Sequence, residues 1–168
     1  MVKTHPRVKA FLDEAGRARV TEAVDRAEHT AGVEFRVAIL QSAEPDLTKL
    51  ARRVYRRLNI ARARRRHGIL FLILPVRRKL VLFGDDEANR VLAKAGWQEA
   101  QEVATIAFKE GRNAEGIADV LDLLSEKLTR HFPPLKGKAA EADELPDEPV
   151  QLEASPKRRK AKASPKDE

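Results

Sequence analysis

The sequence predicts an α/β fold, a small mixed β-sheet sandwiched between helices. Three observations lead there. The spacing of apolar residues switches between helical and strand periods along the chain. One continuous apolar run, Ile69-Leu70-Phe71-Leu72-Ile73-Leu74, is bounded by Gly68 and Pro75 and suits a strand buried on both faces. A strand, a helix and a second strand in series imply a right-handed crossover between parallel neighbours.

Residues 14–30 place Ala18, Val20, Ala23, Val24 and Ala27 on one side of a helix, with Gly32 just past its end as a stop. Residues 33–40 follow as a strand. Val33, Phe35, Val37 and Ile39 alternate with Glu34, Arg36, Ala38 and Leu40, and the outer positions become apolar towards the end. Asp46 then reads as the N-cap of a helix in which Leu47, Leu50, Ala51, Val54, Tyr55 and Leu58 share one face. Arg52, Arg53, Arg56 and Arg57 share the other. After the strand at 68–74, Val76-Arg77-Arg78 forms a turn, and residues 79–83 return as an antiparallel partner ending at Gly84. Three helices are expected next. A short one spans 86–95, and a second spans 97–110 with Trp97, Ala100, Ala104, Ala107 and Phe108 inward. The third spans 114–131, with Ile117, Val120, Leu121, Leu124 and Leu128 at helical spacing.

Composition changes at Pro133. Residues 133–168 hold six of the nine prolines and no Ile, Phe, Trp, Tyr or Met. An acidic block at 141–153 precedes a basic one at 157–166. Such a segment buries too little apolar surface to offset its ordering entropy, so the expected division is a domain over 1–132 and a disordered charged tail over 133–168.

Several function classes fall away. The chain has 168 residues and no cysteine, which excludes thiol nucleophiles, thiolate zinc sites and disulfides. No apolar stretch is long enough to span a bilayer, and the first residues lack the apolar core of a secretory signal, so a cytoplasmic protein is expected. His5, His29, His67 and His131 show no His-Glu-x-x-His pattern, and Ser42, Ser125, Ser155 and Ser164 lie in no Gly-x-Ser-x-Gly. Glycine-rich nucleotide loops are missing as well. These absences argue against an enzyme.

The ordered series of pieces resembles the TPM domain family, named for a thylakoid lumen protein, a photosystem II repair protein and a membrane accessory protein of receptors. The resemblance covers residues 11–133. It rests on the entry into the first strand, Ala31-Gly32-Val33-Glu34-Phe35-Arg36-Val37, and on the glycine-led strand Gly68-Ile69-Leu70-Phe71-Leu72. It continues through Gly84-Asp85, Trp97, Phe108-Lys109-Glu110-Gly111, Gly116-Ile117 and His131-Phe132-Pro133. His67 stands where the family usually has Asn, and the aromatics and glycines that usually follow Asp85 are thinned. The resemblance implies an α/β/α sandwich. Its members are mostly of undefined function; some are associated with phosphatase activity, some with divalent metals, others with assembly or repair of membrane complexes. Many carry a signal peptide and a membrane helix, so this chain resembles a short stand-alone version.

Two constellations can carry chemistry. Asp85, Asp86 and Glu87 lie where a strand gives way to a helix. Carboxylates converging there could hold a hard cation such as calcium or magnesium, with Glu34 as a further ligand, and a metal-dependent phosphatase would centre on them. The plainer reading makes Asp85 a helix cap and its neighbours favourable charges at the positive end of the helix dipole. His67 beside Gly68 reads as a solvated histidine with no visible orienting partner.

The second constellation is basic. Residues 47–84 contain 12 Lys and Arg and no acid: Lys49, Arg52, Arg53, Arg56, Arg57, Arg62, Arg64, Arg65, Arg66, Arg77, Arg78 and Lys79. With a formal net charge of +7 overall, the remainder of the domain is acidic. An arginine face of this kind suits an anionic partner, whether an acidic protein, nucleic acid or lipid headgroups. The favoured anion-binding set is Arg52, Arg53, Arg56, Arg57, Arg64, Arg65 and Arg66. Aromatic interleaving for base stacking is absent, so nucleic-acid binding would be driven by the backbone phosphates. In the tail, Lys157, Arg158, Arg159 and Lys160 follow Ser155-Pro156, and a second Ser-Pro-Lys occurs at Ser164. Such segments resemble the DNA-contacting tails of linker histones and offer a second nucleic-acid contact.

Overall fold

The computed structural model describes residues 4–60, 67–136 and 146–152. In chain order the elements are α1 (Pro6–Ala10), α2 (Glu14–Thr30), β1 (Glu34–Leu40), α3 (Leu47–Arg57), β2 (Gly68–Leu74), β3 (Lys79–Gly84), α4 (Asp86–Lys109), α5 (Asn113–Leu128) and β4 (Val150–Leu152). The strands form one sheet in the order β3-β2-β1-β4. β1 runs parallel to β2, with Glu34 opposite Gly68 and Ile39 opposite Ile73. β3 returns antiparallel to β2 across the turn at Pro75–Arg78.

All seven residues of both β1 and β2 are buried. On one face Phe35, Val37, Ile39, Ile69, Phe71 and Ile73 pack into a core with Val20, Val24, Ala104, Ile117, Leu121 and Leu124 from α2, α4 and α5. On the other face Ala38, Leu40, Leu70, Leu72 and Leu74 meet Leu50, Ala51, Val54 and Tyr55 of α3. Strands covered by helices on both sides need apolar residues at every position, which is why the run from Ile69 to Leu74 does not alternate. The mixed sheet between helices is the expected fold class.

The detail departs from expectation in three places. First, the helices expected at 86–95 and 97–110 form one span, α4, interrupted at Ala93 with φ 52° and ψ −175°. The bend precedes Gly96, which continues the helix and packs on Leu92. Second, α5 ends at Leu128 rather than 131, and the chain beyond it stays on the domain. Thr129 Oγ1 donates to Thr30 O at 2.7 Å, and Gly32 N–H donates to Phe132 O at 2.8 Å. A Cβ on Gly32 would lie 2.6 Å from Pro133 O, so only glycine allows this approach.

Third, the domain does not stop at 132. Val150, Gln151 and Leu152 pair in parallel with Ala38, Ile39 and Leu40, and Leu152 joins the apolar layer beside α3. An acidic, proline-rich segment gains a strand because the edge of β1 supplies its backbone partners and the buried Arg36 guanidinium donates to Pro146 O. Residues 137–145 and 153–168 of the expected tail, including Lys157, Arg158, Arg159 and Lys160, lie outside the described residues.

Candidate functional site

The arginine face is built by α3. Asp46 Oδ1 accepts the N–H of Lys49 at 3.0 Å and starts the helix as an N-cap. Leu50, Ala51, Val54 and Tyr55 are buried against the sheet, which turns Arg52, Arg53, Arg56 and Arg57 to solvent. All four are exposed, and Lys49 extends the strip. Among the described residues none of the five forms an ion pair. Helical neighbours of like charge, Arg52 with Arg56 and Arg53 with Arg57, destabilise a helix by about 0.2–0.5 kcal/mol per pair. Arg56 and Arg57 recover part of this cost by lying in the last turn, at the negative end of the helix dipole.

The remaining bases divide. Arg77 is half-buried, and its Nη1 donates to Ser42 O at 3.2 Å and Glu44 O at 2.7 Å, tying the β2–β3 turn to the loop before α3. That role is structural. Arg78 and Lys79 are exposed on the turn. Arg62, Arg64, Arg65 and Arg66 lie outside the described residues.

The acidic constellation has a different geometry from the expected cluster. Asp85 caps α4: its Oδ1 accepts Ala88 N–H at 2.8 Å and its Oδ2 accepts Gly68 N–H at 3.1 Å. His67 Nδ1 lies 3.2 Å from the same Oδ2. The histidine therefore has the orienting carboxylate that the sequence did not reveal, and its ring packs on Phe132 with centroids 4.4 Å apart. Asp86 and Glu87 are exposed, and Glu87 pairs with Arg90 at 2.8 Å. That hydrogen bond holds the Glu87 carboxyl below its usual range. Among the described residues no group of three or more His, Asp or Glu is placed to hold a metal ion. Glu34 is buried at the start of β1, its N–H donating to His67 O at 2.9 Å.

Tyr55 connects the two regions. It belongs to α3 and is buried, and its hydroxyl lies 2.8 Å from the position a Cβ on Gly68 would take. Burial, and then the charge of Asp85, push the Tyr55 phenol up to about 12. Sequence reasoning missed a second polar group. Glu28, 3 % exposed, accepts the N–H of Phe35 at 3.1 Å, and burial lowers the Arg36 guanidinium below its ordinary value. The available signal was the pair Glu34 and Arg36 in a strand otherwise apolar on both faces.

The family model of the TPM domain matches residues 8–127, nearly all of α1 to α5. The chain belongs to the TPM domain family. Two solved structures share the fold of this TPM protein. One is the solution structure of BA42 from the psychrophilic bacterium Bizionia argentinensis, 23% identical, covering 88% of this chain and 100% of that one with a TM-score of 0.74. The other is the N-terminal domain of a protein from P. gingivalis, 14% identical, covering 78% of this chain and 87% of that one with a TM-score of 0.62. No curated protein matches the chain. Among the described residues, no helix of this TPM domain is long and apolar enough to cross a membrane.

Proposed function

We propose that this TPM domain is a non-catalytic, cytoplasmic binding module that docks an anionic macromolecule through the outer face of α3. One observation carries the reading: Arg52, Arg53, Arg56 and Arg57 are adjacent, exposed and without an ion pair among the described residues. Guanidinium groups make bidentate contacts to phosphate and carboxylate, and a strip of them raises the local concentration of anions. Titration of the full chain with duplex DNA, anionic phospholipid vesicles and polyglutamate tests it. Replacing the four arginines by alanine should weaken the preferred probe at least tenfold. If DNA is that probe, the substitutions should also reduce the salt slope by roughly three to four phosphate contacts. Unchanged binding would end the proposal. Binding to DNA that survives these substitutions but disappears on truncation after residue 152 would move the activity to the basic tail.

The contact between His67 and Asp85 favours a second reading, a metal-dependent phosphatase-like hydrolase centred on Asp85 and Asp86 with calcium or magnesium. Hydrolysis of phosphate esters with magnesium, calcium or manganese that Asp85→Ala abolishes would establish it. No turnover with any of the three ions would remove it.

A further inference from the structure

A cleft of about 500 Å³ opens on the opposite side of the sheet from α3, between α1, the β2–β3 turn and the junction of α4 and α5. Its volume falls in the range of small-molecule sites, roughly 300–1,000 Å³. The floor is apolar and braced. Phe11 and Phe108 meet edge to face with centroids 5.2 Å apart, and Phe108 stacks on Phe71 of the central strand at 6.1 Å. Asn113 Nδ2 donates to Phe11 O at 3.0 Å and holds the α1 side in place. Phe11, Leu80 and Phe108 are only half-buried and leave apolar surface in the cleft.

The rim is cationic. Arg78 comes from the turn, Lys79 from the start of β3 and Lys109 from the last turn of α4. All three are exposed and none forms an ion pair among the described residues. Among the described residues no acid lines the cleft. Arg78 is moreover held at φ 52°, in the left-handed region where Gly or Asn is the usual occupant, so the turn keeps a guanidinium where a small residue would fit with less strain.

We propose that this cleft binds a small amphiphilic carboxylate, its alkyl or aryl body against Phe11 and Phe108 and its head among Arg78, Lys79 and Lys109. Three positive charges, from the β2–β3 turn, β3 and α4, over a rigid apolar floor complement one anionic head on one apolar body. The arginine offers bidentate contact and the lysines add point charges. The site is independent of the arginine face of α3.

Amide NMR of the full chain titrated with decanoate tests this, with decanol and acetate as controls for body and head alone. Saturable shifts at Phe11, Leu80, Phe108 and Asn113 are expected with decanoate, and affinity at least tenfold weaker with either control. Arg78→Gly relieves the left-handed residue and removes the guanidinium, so the variant should stay folded yet lose about tenfold in affinity, and Lys109→Gln about as much. Lys94→Ala, at an exposed position of α4 outside the cleft lining, should bind as the parent does. Three results would each overturn the proposal: no saturation at cleft residues, equal binding of decanol, or parental affinity in the Arg78→Gly, Lys109→Gln double variant.

Discussion

The two faces of the sheet carry their positive charge in opposite ways. On the side of α2, α4 and α5, four basic residues find acids, while Lys109 at the cleft forms no ion pair among the described residues. Arg19 meets Glu115 at 3.3 Å, Arg26 meets Asp122 at 2.9 Å, Lys127 meets Glu99 at 2.7 Å and Arg112 meets Glu110 at 2.6 Å. These pairs link α2 to α5 and α5 to α4, so charge there follows packing. On the side of α3 a single helix covers the sheet, and its four arginines meet no acid among the described residues. Exposed ion pairs contribute only about 0–1 kcal/mol each, so leaving α3 without them costs the fold little. Among the described residues the charge of α3 is therefore uncompensated.

The contrast can be sharpened first through the two apolar layers. Phe71→Ala, under three helices and the Phe108 ring, should lower unfolding free energy by about 3–5 kcal/mol in denaturant titrations. Leu50→Ala, on the buried face of α3, should fall near the low end of the leucine range, about 2–3 kcal/mol, because that single helix can settle towards the sheet once its own side chain is shortened. Equal losses would mean that the α3 layer is as firmly locked as the other.

A smaller effect follows from Tyr55. Its folded value is raised from 10.0 to about 12, so the folded state holds the phenol proton more tightly. The associated stability is fully present below pH 10 and is lost as pH rises towards 12, on the order of 2 kcal/mol. Thermal melts across that interval should show a decline that Tyr55→Phe flattens. An equal decline in the variant would assign the alkaline loss to other groups.

The smallest effects test the charge contrast itself. Arg26→Ala should cost about 0.2–1 kcal/mol, recoverable as coupling in a double-mutant cycle with Asp122→Ala. Arg52→Ala should be neutral or stabilising by a few tenths of a kcal/mol, since it relieves repulsion with Arg56. A destabilisation above about 1 kcal/mol at Arg52 would show that it has an intramolecular role.

Most of the fold was legible because it is written in local patterns. α2, α3, β2 and β3 lie where periodicity and their bounding residues put them, and Asp46 and Asp85 cap the helices they precede. What stayed hidden depends on partners distant in the chain. His67 and Asp85 are 18 positions apart and meet because β2 and β3 are antiparallel neighbours, with Ile69 opposite Gly84. β4 has only three residues in an acidic stretch, and its strand character comes from the edge of β1. The bend at Ala93 has no local signature, because the residue that would relax it, Gly96, lies three positions later. The arginine face was visible as a charge run, but the fate of each base was not: Arg77 is drawn into a loop contact with Ser42 and Glu44.

The late strand also sets a schedule for synthesis. Arg36 and its acceptor at Pro146 are 110 positions apart, and β1 gains its second neighbour only through Val150–Leu152. While the chain is being made, β1 therefore keeps one margin unzipped until residues 150–152 have left the ribosome. A pause in translation between α5 and β4 would lengthen the life of that bare margin, and with it the chance that another nascent copy pairs there first.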